Sequence, residues 1–406
     1  MIKNCRACNS KKLNKLISLK KIHFSGKFPK KKQKIKKGLL ELIICSRCKL
    51  TQLSNNFPLK YMYDINYGYR SGINETMKNH LKEITKKISK LIKLKNGDLV
   101  LDIASNDATL LNSYKNRNIL KFGIDPTIKK YRKYYKNINY KISDFFNSKK
   151  YFLKTKHKAK VITCISMFYD LKNPNIFLKD VKKILTDDGI FILEQSDLSK
   201  MVSANAFDTI CHEHLEYYSI RSLNFLLKKN GFKIFDHEYN STNGGSSRFY
   251  VTHESNKKYK KSNKINNLIK IENLKGINNG SSIKQMMKRV DKVGVEIKKL
   301  LNKIKSQKKI IHGYGASTKG NVLLQYYKIS NFIKYIADRN SLKVGLYTPD
   351  NKIKIISEIM SRKLNPDYYF VLPWHFKRGI LKREEKSLKK NIKFIFPLPK
   401  LHVCSK

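Results

Sequence analysis

The densest group of titratable side chains in the chain is His212-Glu213-His214, which lies between Asp208 and Tyr218. Two imidazoles flanking a carboxylate, beside Tyr217 and Tyr218, suit a general base. A histidine titrates near neutrality and can take a proton from an acidic carbon, while Glu213 orients the ring or steadies the imidazolium. The spacing does not match a HExxH zinc site, and a histidine satisfied inside a core is the competing use of either ring. A second group is Cys5-Arg-Ala-Cys8 with Cys45-Ser-Arg-Cys48, two CxxC knuckles separated by a loop long enough to bring them together. Four thiolates so spaced make a tetrahedral site for zinc, a closed one that folds a module and does no chemistry. Disulfides are the alternative, disfavoured because nothing points to an oxidising compartment. Cys164, Cys211 and Cys404 are scattered.

Two further segments could hold ligands. Val100-Leu-Asp102-Ile-Ala104-Ser-Asn106-Asp-Ala108 reads as a strand ending in an acidic residue and a tight turn of small residues, followed by a helix. Such a first turn lies at the switch point of a doubly wound sheet. About 20 residues on, Gly123-Ile-Asp125-Pro126 ends a second strand and places a carboxylate to accept both hydroxyls of a ribose. A nicotinamide cofactor would require glycines for its pyrophosphate; they are absent, which favours S-adenosylmethionine, a donor without phosphate. Asp144, after the run from Tyr140, suits an adenine amino group, and an ordinary capping carboxylate explains it equally well. His312-Gly313-Tyr314-Gly315-Ala316-Ser317-Thr318-Lys319-Gly320 follows a strand and opens a helix, so its backbone N–H groups suit a diphosphate. It is not a Walker A loop, and a packing turn is the plainer use.

The elements that must position these groups can be read from periodicity. An aromatic stretch from Tyr61 has the character of a lid and leads into an amphipathic helix over about 74–94. LVLDIA, ILKFGID, KVITCIS and GIFILEQ alternate with helical stretches, as βαβ units of a parallel sheet do. FKIFDHEY and SSRFYVTHE read as antiparallel strands flanking a turn at Asn243-Gly-Gly-Ser246. Residues 255–281 are polar and aperiodic, hence a loop or linker. A basic helix over roughly 282–306 precedes a second set of strands, KIIHGYG, FIKYIAD, YYFVLPW and KFIFPLP.

In 406 residues there is room for two to four domains, and 41% hydrophobic residues argue against global disorder. Lys and Arg number 86 against 30 Asp and Glu, a formal charge of +56. The excess is nearly all lysine, spread through every segment, which fits compositional drift better than a built polyanion patch. No apolar run could cross a bilayer and the N-terminal residues do not form a signal peptide, so the expected location is the cytoplasm.

In this order and together, the motifs resemble the zinc-containing sugar C-methyltransferases, S-adenosylmethionine-dependent enzymes that methylate nucleotide-linked 4-keto-deoxysugars. The resemblance spans essentially the whole chain. It rests on the cysteine module ending at Leu53, Tyr67-Gly-Tyr69-Arg-Ser71, VLDIASND, Ser166-Met-Phe-Tyr169-Asp-Leu171, HEH, Asn243-Gly244-Gly-Ser-Ser-Arg248-Phe249, GYGASTKG and Phe396-Pro-Leu-Pro399. It implies that the N-terminal module and central domain enclose the donor, with Asp102, Ala104, Asn106, Asp125, Pro126 and Asp144 as its binding residues. The C-terminal domain would hold the nucleotide diphosphate through Gly313, Tyr314, Gly315, Ala316 and Lys319, aided by Gly244 and Arg248. His214, with Glu213, would abstract the proton beside the keto group, and the enolate would take the methyl. Tyr67 or Tyr69 would stabilise the enolate oxygen, and Tyr169 stands where some relatives have histidine. Ala108 replaces a usual glycine and Cys211 a usual tyrosine.

The expectation is an α/β protein in three modules: 1–73, a four-cysteine zinc module with the aromatic lid; 74–255, a Rossmann-like S-adenosylmethionine domain; and, after a linker at 256–281, a Rossmann-like nucleotide-sugar domain at 282–406. It would be a monomer that methylates carbon 3 of a sugar bound for a surface polysaccharide or glycosylated metabolite, with no membrane or nucleic-acid partner. Two other readings are an RNA-modifying methyltransferase recruited by its charge and zinc module, which leaves HEH and GYGASTKG unexplained, and a non-catalytic relic, suggested by Ala108 and Cys211.

Overall fold

The computed structural model describes residues 1–58 and 69–405. Strands β1 (Leu13–His23) and β2 (Lys37–Cys45) form a hairpin extended by the short β3 (Thr51–Leu53). The hairpin places Cys45 and Cys48 at its end, against Cys5 and Cys8.

Downstream, β4 (Leu99–Ile103), β5 (Leu120–Ile124), β6 (Tyr140–Ile142), β7 (Ala159–Ile165) and β8 (Leu185–Ser196) form a parallel sheet. β9 (Glu216–Tyr217) leaves it and pairs with β3, so the segment that carries the HEH cluster joins the N-terminal sheet. β10 (Phe232–Asn240) and β11 (Ser246–His253) complete seven strands in the order β10-β11-β8-β7-β4-β5-β6, with β11 antiparallel to both neighbours. This agrees with the expected parallel units and antiparallel pair. The switch point falls between β4 and β7.

The third sheet has the order β14-β13-β12-β15-β16-β17, from β12 (Ile311–Tyr314), β13 (Tyr335–Asp338), β14 (Lys354–Ser357), β15 (Tyr368–Val371), β16 (Lys393–Phe396) and β17 (His402–Cys404). All its pairings are parallel except β16 with β17, and its switch point lies between β12 and β15.

Helix Glu75–Leu91 buries Met77, Leu81, Ile84 and Ile88, a three-and-four spacing on one face, and Asn74 caps it by accepting from the Thr76 N–H at 3.0 Å. Helix Ser281–Ser306 does the same with Ile283, Met286, Val290, Val293, Ile297, Leu301 and Ile304. One apolar cluster joins these residues to Leu19, Ile22, Leu40 and Leu42 of the N-terminal hairpin and to the third sheet, so hairpin and C-terminal domain share a core. The stretch read as a loop at 255–281 instead contains a helix, Lys264–Leu274. Only Ile265 and Glu272 are buried in it, which is too few apolar contacts to leave a period in the sequence. Glu272 accepts from the N–H groups of Ile220 (2.8 Å) and Arg221 (3.2 Å), satisfying the free N-terminus of helix Ile220–Lys229.

Candidate active site

Four buried thiols, Cys5, Cys8, Cys45 and Cys48, have all their sulfurs within 4.8 Å of one another, with Cys5 to Cys48 and Cys8 to Cys45 each at 3.5 Å. Zinc–thiolate bonds of about 2.3 Å give a tetrahedral edge of roughly 3.8 Å, so the set fits zinc without rearrangement. Four protein ligands close the site to substrate.

One cavity of about 1010 Å³ runs between the ends of the two parallel sheets. The end of it beside β4 and β5 is lined by Asp102, Ala104, Asn106, Asp125, Pro126 and Asp144, the six residues that the resemblance assigns to the donor. Asp125, at the end of β5, accepts from the N–H groups of Asn106 (3.0 Å) and Thr127 (2.6 Å) and from the Thr127 hydroxyl (2.5 Å). Burial raises its pKa against those bonds. Asp102 accepts from Thr163 at 2.6 Å, and burial pushes it up to about 7. Asn106 turns its side chain away from a simple ligand role: its Oδ1 accepts from the Ser71 N–H at 2.9 Å and its Nδ2 donates to the Tyr69 carbonyl at 3.2 Å. Asp107, which sequence reasoning passed over, accepts from the Gly72 N–H at 3.0 Å. The donor loop thus grips the chain just past the aromatic stretch. Ala104, Asn106 and Ala108 all have positive φ, near 61°, 49° and 58°, a strained turn that glycines would relax. Asp144 lines the cavity, half-exposed and paired with Lys150.

The structure separates the two histidines of the cluster. His212 is fully buried between Phe24 and Phe57, with Nδ1 3.3 Å from the Ser25 hydroxyl, and does not line the cavity. His214 does line it. Its Nδ1 lies 2.9 Å from the Thr209 carbonyl, which can only accept, so Nδ1 carries the proton and Nε2 keeps the free lone pair. Burial, helped by the charge of Lys319, pushes its pKa down to about 3 and keeps the ring neutral. Tyr169 packs its ring against it at 4.3 Å. Glu213 also lines the cavity; burial raises its pKa, and its Oε2 has no hydrogen-bond partner among the described residues. Its Oε1 lies 1.8 Å from where a Cβ on Gly26 would sit, so Gly26 keeps the space the carboxylate occupies. Tyr69 lines the cavity; Tyr67 lies outside the described residues. Cys211 is a fully buried thiol whose pKa burial raises.

On the C-terminal side, Tyr314, Gly315, Ala316 and Lys319 reach the cavity as expected. Gly315 holds φ near +81°, and a Cβ there would meet Pro373 Cγ at 2.7 Å. Lys319 Nζ donates to the Asn243 carbonyl at 2.9 Å, and burial lowers its pKa against the attraction of Asp208. Three expected substrate residues do not line the cavity. Gly313 lies within β12, and Gly244 sits behind Asn243, close to Trp374 and His375. Arg248 is 1% exposed and spends its charge in a buried cluster, with Nε 2.6 Å from Glu194 and a second bond to Glu238. An arginine so neutralised supports the fold and is not available to an anion.

Residues that sequence reasoning missed line this side: Asp338, Arg339, Lys343, His375, Lys382 and Arg383. Asp338 ends β13 as Asp125 ends β5. It accepts from the N–H groups of Ala316 and Asn340, both at 2.7 Å, and the rule applied to the first strand-end aspartate would have found it. Lys343 Nζ donates to the Ala316 carbonyl at 2.7 Å. This half of the cavity offers cationic side chains and loop N–H groups, the other half carboxylates and apolar side chains.

Fold and site together are those of a methyltransferase with a closed four-cysteine module and a second parallel sheet at the cavity. Three family models match the chain in succession: a zinc binding domain over residues 5–63, a methyltransferase domain over 73–237 and a C-methyltransferase C-terminal domain over 241–399. The chain is 25% identical over 377 residues to the C-methyltransferase NovU of Streptomyces niveus, a match covering 90% of this chain and 87% of that one. Among solved structures, it is similar to the PH0226 protein of Pyrococcus horikoshii OT3 (15% identity, TM-score 0.37, 49% of this chain and 100% of that). It is also similar to an S-adenosylmethionine-dependent methyltransferase of Clostridium acetobutylicum (13%, 0.35, 43% and 92%). The three matches in succession and the likeness to NovU support an S-adenosylmethionine-dependent C-methyltransferase with a zinc-binding module.

Proposed function

We propose that the acceptor is a nucleotide-linked 4-keto-deoxysugar and that His214 is the base that prepares its carbon for methylation at C-3. The observation that carries the reading is a neutral, half-buried histidine that lines one cavity, between a ribose-type carboxylate on one side and a cationic, glycine-turned loop on the other. S-adenosylmethionine supplies an electrophilic methyl group. Asp125 and its loop hold the donor's ribose, and Asp144 accepts from the adenine amino group. Tyr314, Gly315, Ala316, Lys319 and Lys343 hold the acceptor's diphosphate. His214 Nε2 takes the proton beside the keto group, Thr209 keeps the tautomer, and Glu213 and Tyr169 hold the ring's surroundings fixed. Tyr69, or Tyr67, donates a hydrogen bond to the enolate oxygen. The protein acts as a cytoplasmic monomer; among the described residues no helix is long and apolar enough to cross a membrane.

The test is to incubate the zinc-loaded protein with methyl-labelled S-adenosylmethionine and a panel of nucleotide 4-keto-deoxysugars, with bulk RNA as rival acceptor. Label should reach sugar carbon and be lost in His214→Ala. Label on RNA would overturn the reading.

A further inference from the structure

Between the first two metal ligands sits Arg6, 8% exposed, and its guanidinium makes contacts well beyond the metal module. Its Nη1 donates to the Leu53 carbonyl (2.8 Å), to Gln52 Oε1 (3.2 Å) and to the Leu215 carbonyl (3.4 Å). Its Nη2 donates to the Asn55 carbonyl (3.0 Å) and Asn56 Oδ1 (2.7 Å), and Nε also reaches Asn56 Oδ1 (3.3 Å). The Arg6 peptide N–H donates to Gln52 Oε1 at 3.1 Å, so the base of the side chain is fixed as well as its tip. Only arginine offers so many donors in one rigid plane.

Leu215 directly follows His214 and is where these contacts meet the catalytic segment. Its carbonyl also accepts from the Leu53 N–H at 2.8 Å, and its own N–H donates to the Tyr169 carbonyl at 2.8 Å. Tyr169 in turn packs on the His214 ring. The strand pairing that could otherwise hold this segment is short, two residue pairs between β3 and β9, Thr51 with Tyr217 and Gln52 with Glu216. The ligands Cys5 and Cys8 fix the turn from which Arg6 projects, and the carbonyls of Arg6 and Ala7 are held by Asn175 Nδ2 at 2.9 and 3.1 Å.

We propose that Arg6 is a positioning residue that couples the four-cysteine metal module to His214, by fixing Leu215 and the strand that leads into the aromatic segment. The metal then matters to the reaction without touching substrate: it holds the turn, the turn aims the guanidinium, and the guanidinium sets the backbone next to the base. This rests on the reading of His214 as the base, but not on the identity of the acceptor.

The experiment compares wild type with Arg6→Met by zinc content, by amide hydrogen exchange, and by kcat and KM with S-adenosylmethionine and the keto-sugar panel. Arg6→Met is expected to keep its zinc and the slow exchange of helix Glu75–Leu91. The Leu53 and Leu215 amides should exchange about tenfold faster or more. kcat should fall about 10- to 100-fold with the KM for S-adenosylmethionine within about twofold. Arg6→Lys, which keeps the charge without the fork, should fall between the two. Unchanged protection at Leu53 and Leu215 overturns the proposal, as does faster exchange with unchanged kcat. Loss of zinc from both variants also overturns it, since Arg6 would then serve only the module's own fold. If wild type turns over no sugar in the panel, the acceptor reading fails while the exchange arm still decides this one.

Discussion

A free imidazole can carry its proton on either nitrogen, and the Thr209 carbonyl removes that choice for His214. Desolvation of the ring and the nearby Lys319 then work in the same direction, both disfavouring the imidazolium, so the ring stays neutral far below the usual histidine range. The sign for catalysis follows. With His214 as the proposed base the active form is neutral, so kcat/KM, which reports the free enzyme, should stay flat as pH falls through 6.5, the ordinary value, and decline only as pH approaches about 3. A bound diphosphate beside Lys319 would offset its positive charge and make the imidazolium easier to form. The acid limb of kcat should therefore lie at higher pH than that of kcat/KM. Rate profiles on both parameters check this, and a kcat/KM limb at the ordinary histidine value would mean that His214 is not the base. His212, two residues away, illustrates the limit of a sequence motif. The two residues are chemically the same, but His212 is fully buried against Phe24 and Phe57 while His214 is only partly buried and faces the cavity, a difference set by which side of the loop meets the N-terminal hairpin.

At the level of elements, the strand-turn-helix units were the most readable parts, because an apolar run ending in Asp102, Asp125 or Tyr314 carries its own boundaries. The hairpin β1–β2 left no such trace. Register shifts between Lys15 and Ile17 and between Ser18 and Lys21 break the two-residue alternation of β1, so its apolar residues fall out of step. Helix Lys264–Leu274 was hidden for another reason: it leaves Ile271 and Leu274 in solvent and docks through Ile265 and Glu272. Where the turn itself is readable, its glycine can be tested. Gly315 combines a left-handed φ with Pro373 Cγ 2.7 Å from the added Cβ. A Gly315→Ala change brings a backbone penalty of about 1 kcal/mol and an overpacking cost of about 1–3 kcal/mol. Chemical denaturation should show a loss of about 2 kcal/mol or more, and titration with UDP or dTDP should show weakened binding, because the loop's N–H groups move with the turn. Unchanged stability would mean that the loop shifts freely away from Pro373, and the close packing described would then not constrain it.

Across the whole molecule, two sheets of the same winding face one cavity, which Gly26 and Phe28 of the N-terminal module also line, and in the proposed reading donor and acceptor are recognised by separate halves of that space. This arrangement was legible only in part. Motif order implied two ligand sheets, but Lys343, Arg383 and His375 come from segments with no motif, brought in by the ends of strands far apart in sequence. Arg248 was misjudged because Glu194 and Glu238, which neutralise it, are distant in sequence or carry no motif of their own. Basic residues number 86 against 30 acidic ones, and of the cations that line the cavity two are held on backbone oxygens, Lys319 on Asn243 and Lys343 on Ala316, while Arg383 bonds the Tyr314 hydroxyl and Glu358. Division of labour between the halves makes a paired prediction. Asp125→Asn removes a charged acceptor for the donor's ribose and should weaken S-adenosylmethionine about 10- to 100-fold while leaving UDP or dTDP binding unchanged. Lys319→Met should do the reverse by a similar factor, because it removes a cation from the diphosphate side and none from the donor side. Calorimetric titration of each variant with each ligand gives four numbers. If both variants lose both ligands together, the cavity is a single coupled pocket and not two recognition surfaces meeting at His214.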